Sequence, residues 1–177
     1  MELFDAIFTR RSYRGMYKAD PVPREDLKKI VEAALAAPSG CNKQTTSVIA
    51  VDDPAVMEQL SALLRLKKPN FASAPAALCI LTEKKIAYAD RTFYVQDYSA
   101  AIQNALLAIA ALGYESCWVE GNITGSDQIG AKMAQLLGVP EHLELICYLP
   151  VGIPVEEGGH AVKLPFEERA WFNGYGK

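Results

Sequence analysis

The sequence predicts an α+β domain with a small central sheet, mixed or antiparallel, flanked by helices. Three observations carry this prediction. Two segments with helical apolar spacing precede any strand-like run. The strand-like runs are few and short. Helices and strands then interleave without the regular strand–helix–strand series of a parallel sheet.

In the first segment, Leu3, Phe4, Ile7 and Phe8 lay an apolar stripe along one side of a helix. It ends in Arg10-Arg11-Ser12-Tyr13-Arg14, cations placed where the helix dipole favours them. After Pro21-Val22-Pro23, Arg24-Glu25-Asp26 opens a second helix, with Leu27, Ile30, Val31, Ala34 and Leu35 in period and Pro38-Ser39-Gly40 as its stop. Ser47 to Val51 reads as a buried strand. Pro54 starts a helix carrying Val56, Leu60, Leu63 and Leu64, and Ala76 to Leu81 reads as a second strand. The polar, aromatic stretch Thr82 to Gln96 fits no template. A long helix is expected from Asp97 to Leu112, apolar nearly all round and closed by Gly113. Ser116 to Glu120 reads as a strand followed by a Gly121-Asn122 turn. Ser126 is expected to cap a helix running to Leu137, and Leu145 to Val151 reads as an apolar strand. A tail punctuated by proline and glycine completes the chain from Gly152 to Lys177.

The bulk numbers bound the function. At 177 residues, half of them hydrophobic, the chain makes one domain with a real core. A net charge of −3 argues against a nucleic-acid partner and isolates the arginine cluster as a local feature. Cys41, Cys79, Cys117 and Cys147 are widely spaced, with only His142 and His160 beside them, so neither a metal site nor a disulfide framework is expected. Cys41 itself is expected to be a buried structural thiol. No secretory leader is visible, and Ala100 to Leu112 is shorter than the roughly 20 apolar residues of a membrane span. A cytoplasmic location, with no membrane partner, is the expectation.

Three segments carry possible chemistry. Three guanidiniums within five residues repel one another unless an anion lies among them, and Arg offers a planar fork suited to phosphate. A solvated basic turn explains the same residues. In Pro38-Ser39-Gly40-Cys41-Asn42-Lys43-Gln44, glycine permits close backbone approach while Ser39, Asn42 and Gln44 present groups that donate and accept. Taken alone, these residues are those of an ordinary helix-to-strand loop. Trp118-Val119-Glu120-Gly121-Asn122 is a strand end followed by glycine, a common setting for binding groups.

Taken together and in order, these segments resemble the nitroreductase family of FMN enzymes. Gln103-Asn104 leading to Ala111-Leu112-Gly113, and Val151-Gly152-Ile153-Pro154, extend the resemblance over almost the whole chain. It implies a three-layer α/β/α fold, a single FMN-binding domain over 1–177, and a homodimer with FMN at the subunit interface. The 155–177 tail is then expected to pack on the partner subunit. Arg10 and Ser12 match positions that bind the FMN phosphate, and Arg11 one that contributes backbone or phosphate contacts. Arg14 matches a cation beside the N1–C2=O edge of the isoalloxazine. Pro38, Ser39, Gly40, Asn42 and Gln44 match a loop that contacts ribityl and ring from the other subunit. Trp118, Glu120 and Gly121 match the strand end flanking the flavin, with a backbone N–H near the Glu120-Gly121 step directed at N5. No side chain is implied to be catalytic, since the flavin carries the hydride chemistry.

The implied activity is reduction of a small aromatic acceptor, such as a nitroarene or quinone, with NADH or NADPH as donor in a two-step exchange. No Rossmann fingerprint selects between the two nicotinamides. There are two departures from the family pattern. Lys163 keeps one tail cation near the phosphate while Ala161 leaves the other empty, with His160 or Arg169 as substitutes. The stretch Thr82 to Gln96 is short where larger relatives carry a lid, leaving Tyr88, Arg91, Phe93 and Tyr94 as its only candidates. Alternatives are a flavin-binding or redox-sensing module without efficient turnover, and a reductive dehalogenase or flavin-modifying enzyme of the same fold. The short lid disfavours the dehalogenase.

Overall fold

A computed structural model describes residues 1–64 and 68–177. Three strands form the central sheet: β1 (Thr46–Val51), β2 (Ala76–Thr82) and β5 (Glu144–Val151), in the order β1-β2-β5 with both pairings antiparallel. Every residue of β2 is buried, as are all but the first of β5. These strands therefore read as continuous apolar runs, covered on both faces.

Alternation along β2 splits the core in two. Ala77, Cys79 and Leu81 face one cluster with Met57, Leu60, Phe71 and Met133, contributed by α3 (Pro54–Leu63), α4 (Pro69–Ala72) and α6 (Ile129–Leu136). Ala76, Leu78 and Ile80 face a second cluster with Leu27, Ile30, Ile102 and Ile109, from α2 (Arg24–Leu35) and α5 (Tyr94–Ala111). Helices on both sides of one sheet give the expected three layers.

Local chemistry explains most boundaries. Pro54 occupies the first turn of α3, and Asp53 Oδ1 accepts the Ala55 and Val56 N–H groups at 2.9 and 3.1 Å. Gly113 takes φ +85° just past α5, the left-handed residue that closes a helix. Other boundaries differ from expectation. α5 starts at Tyr94, one turn early, because Phe93 accepts the Asp97 N–H. α6 starts at Ile129 without a Ser126 cap: Gln128 has φ 56°, a left-handed turn that a right-handed helix cannot contain. The stretch that fits no template contains a small hairpin, β3 (Ile86–Tyr88) with β4 (Arg91–Thr92).

The segment Ser116–Glu120 is extended but is not a regular strand. It meets two neighbours at single positions, Ser12↔Ser116 in parallel and Val119↔Tyr148 antiparallel, so no ladder builds up with either. This double contact matters for function, because it ties the arginine cluster to β5. In α1 (Leu3–Thr9) only Ala6 is buried, and Leu3, Phe4, Ile7 and Phe8 are exposed. Among the described residues, no helix is long and apolar enough to cross a membrane.

Candidate active site: a cationic cleft at the end of the 116–120 segment

Backbone pairing sets the cleft's frame. Tyr13 N–H donates to the Ser116 carbonyl at 2.8 Å, which leaves Arg14 beside Cys117 and Trp118. Arg14 Nη1 donates to the Ser12 carbonyl at 3.1 Å, and the rest of its guanidinium is exposed. The cleft it borders has a volume of about 150 Å³ and is lined also by Lys68, Asn70, Trp118, Glu120 and Gly121.

Two features show what the cleft lacks. Asn70 is fully buried, and its Nδ2 donates to Cys117 Sγ at 3.2 Å. Its Oδ1 is buried and, among the described residues, has no hydrogen-bond partner. An unfilled acceptor of this kind costs about 1–3 kcal/mol, so it marks a place for a donor. A Cβ built on Gly121 would meet nothing within 4 Å, so packing inside this chain does not require glycine there. The cleft thus offers an acceptor, two cations and an open backbone edge. A planar ligand carrying an N–H next to a negatively polarised oxygen would match it.

Glu120 is held rather than free. The Tyr98 hydroxyl donates to Oε1 at 2.9 Å and Trp118 Nε1–H donates to Oε2 at 2.8 Å. Burial, and then this bond to Glu120, push the Tyr98 hydroxyl up to about 12. Burial likewise raises the Cys117 thiol, against the pull of the Arg14 and Lys68 charges.

Not all the expected residues meet here. Arg14, Trp118, Glu120 and Gly121 share the cleft. Pro38, Ser39 and Gln44 line a different cavity of about 370 Å³, together with Asp97. Gly40 and Asn42 belong to the single 3₁₀ turn Gly40–Asn42 of that loop. Cys41 within it is exposed at φ 49°, contrary to the expected buried thiol, because the left-handed turn directs it outward. Arg10 caps α1 through its N–H to the Ala6 carbonyl, and Ser12 is exposed.

Arg11 departs from an anion-binding role for its side chain. Nε bonds Glu115 Oε1 at 2.7 Å, and Nη1 reaches the Gly158 carbonyl at 2.7 Å and Glu157 Oε1 at 3.3 Å. Burial opposes its charge, but the Glu115 and Glu157 carboxylates overcome that and raise its pKa. The guanidinium already has its anions, and it fastens the root of the tail. His160 Nε2 lies 3.4 Å from the same Nη1. Lys163 is exposed in the tail and lines neither cavity.

Lys68 and Asn70 escaped the sequence reading. They carry no motif density, and their one signal is an amide placed directly after Pro69 in a short helix leading into an apolar strand. Among the described residues, no cluster of three His, Cys, Asp or Glu side chains could hold a metal ion.

A small antiparallel sheet between helical layers, with a cationic cleft at the end of the 116–120 segment, defines a compact α+β domain. The chain belongs to the nitroreductase family, whose model matches residues 7–67 and 62–153. It is 34% identical over 158 residues to a protein of Archaeoglobus fulgidus provisionally named NADH dehydrogenase/NAD(P)H nitroreductase, covering 88% of this chain and 87% of that one. It is 27% identical over 179 residues to the FMN reductase [NAD(P)H] of Bacillus subtilis, covering 94% of this chain and 71% of that one. The structure superposes on an FMN-dependent nitroreductase of Clostridium difficile R20291 with a TM-score of 0.81 at 27% identity, over 97% of this chain and 99% of that one.

Proposed function

We propose that two copies of this chain form an FMN oxidoreductase that takes hydride from NADH or NADPH and delivers it to a flat acceptor, a nitroarene or quinone, in a ping-pong exchange. Its coarse activity follows from the family: it is an NAD(P)H-dependent, FMN-dependent oxidoreductase. The finer reading rests on the cleft. FMN fits the groups present there, since the N3–H of its ring would satisfy the orphaned Asn70 Oδ1 and its C2=O edge would lie toward Arg14.

When bound, FMN supplies an atom, N5, that accepts and returns hydride. The chain's own residues do the rest. Arg14 holds a positive charge where the reduced ring gathers negative charge. Glu120, braced by Tyr98 and Trp118, orients the Glu120-Gly121 peptide, whose N–H would face N5. Arg10 and Ser12 would hold the phosphate through a guanidinium fork and a hydroxyl, and Lys163 would add a point charge from the tail.

Assembly as a homodimer is supported by what one protomer lacks. A cleft of about 150 Å³ is below the roughly 300 Å³ at which small-molecule pockets begin. The 38–44 loop presents polar groups elsewhere on the surface, and in a dimer it would complete the partner's site. Leu3, Phe4 and Phe8 of α1, and Phe172 and Tyr175 of the tail, are more than 60% exposed, apolar groups that a subunit interface would cover. The 155–177 tail would cover the partner.

The test is an anaerobic titration of the purified protein. Bound flavin absorbance should bleach with NADH or NADPH and return on adding a nitroarene or quinone. No bound flavin at saturating FMN would end this reading.

A further inference from the structure

Asp97 is a carboxylate that the hydride chemistry does not use, yet it is only 4% exposed. Burying a carboxylate is costly unless its oxygens are occupied. Here Oδ1 accepts the Gly40 N–H at 2.7 Å and Oδ2 accepts the Thr45 hydroxyl at 2.7 Å. Its place in the first turn of α5 also suits a negative charge.

The two donors are the two ends of one turn. Between them Cys41, Asn42 and Gln44 have φ values of 49°, 54° and 48°, a left-handed region that residues other than glycine avoid. Inside the turn, Ser39 Oγ accepts the Gln44 N–H at 3.0 Å, and the Ser39 carbonyl accepts the Asn42 N–H at 3.0 Å. Above it, Phe93 sits so close that a Cβ on Gly40 would lie 2.5 Å from Phe93 Cδ2. The start of α5 and the turn therefore form one unit, in which a single carboxylate clamps both ends of a strained segment. Asn42 and Gln44 stand exposed on its outer side.

We infer that Asp97 is a positioning residue for cofactor binding: its carboxylate holds the 40–45 turn in the shape that presents Asn42 and Gln44 to FMN. This rests on the FMN reading above. Without the clamp, the three left-handed residues relax, and the two amides lose the fixed direction that makes their contacts inexpensive in entropy.

The experiment measures FMN affinity of the apoprotein by quenching of flavin fluorescence, at a temperature where wild type and variants are fully folded. Global destabilisation alone leaves the dissociation constant unmoved under that condition. Asp97→Ala should raise it about tenfold or more, the scale of one charge-assisted hydrogen bond. Asp97→Asn, which keeps an acceptor for Gly40, should fall between. Thr45→Val should weaken binding and Thr45→Ser restore it, while amide exchange at Gly40 quickens in Asp97→Ala. If Asp97→Ala does not fold, Thr45→Val decides. Wild-type affinity in whichever variant decides overturns the inference. Failure of the wild type to bind FMN at all overturns the underlying reading instead.

Discussion

Arg14 carries the charge that should decide how readily the bound ring accepts electrons. It is exposed in the isolated protomer, and Nη1 donates to the Ser12 carbonyl. A fixed cation a few ångströms from a developing anion contributes roughly 1–3 kcal/mol at the effective dielectric of a protein surface. Arg14→Ala should therefore lower the two-electron potential of the flavin by about 20–65 mV, taking 30 mV as about 1.4 kcal/mol. Potentiometry on the reconstituted variant measures this, and an unchanged potential would remove Arg14 from its role. Arg11 shows why neighbours in sequence need not share a function. One guanidinium faces the cleft, while the other is spent on Glu115 and the Gly158 carbonyl.

At the scale of elements, two glycines separate packing from binding. Gly40 lies under Phe93 at the start of α5, so Gly40→Ala forces a steric shift that should destabilise the apoprotein by about 1–3 kcal/mol. Gly121 faces open space at the end of the 116–120 segment. Gly121→Ala should leave the denaturant midpoint of the apoprotein nearly unchanged while weakening FMN binding, because a methyl would occupy the side where the ring approaches. A loss of apoprotein stability matching that of Gly40→Ala would show that Gly121 serves packing after all. The 116–120 segment also shows how far pattern reading reaches. Ser116 to Glu120 reads as a strand, but only the fold reveals that the segment splits its pairing between Ser12 and Tyr148.

For the whole molecule, the apolar face of α1 carries the prediction about assembly. Replacing Phe4 and Phe8 together by serine should yield a monomer in sedimentation and lower FMN retention, if the site needs both subunits. A dimer that survives unchanged would place the interface elsewhere. Stability against alkali belongs to the same scale. Burial pushes the Cys79 thiol up to about 12 and raises Cys147, Tyr17 and Tyr148 as well. These groups stay protonated when folded but ionise near 9 and 10 once unfolded. Above that range the unfolded chain binds fewer protons, so their contribution is complete below pH 9 and is lost as pH rises toward 12 and beyond. Each such group removes about 1.4 kcal/mol per pH unit in that window. Guanidinium midpoints should be flat from pH 7 to 9 and fall steeply from 9 to 11. A level profile through pH 11 would contradict the burial of these groups.

The amino-acid sequence alone determined the α+β plan with a small central sheet, because helical periodicity and a few short apolar runs are legible in it. It also marked the arginine cluster, the 38–44 loop and the 118–121 strand end, where residue types are unusually dense in donors or cations. The tertiary structure decided which of these face one another. Asn70 and Asp97 gained meaning only there, since an unpartnered buried oxygen and a clamped turn depend on atoms brought together from 47 to 57 positions apart or left without a partner among the described residues. Arg14 and Arg11 diverged for the same reason. Charge is legible in a chain, but what neutralises it is settled by packing.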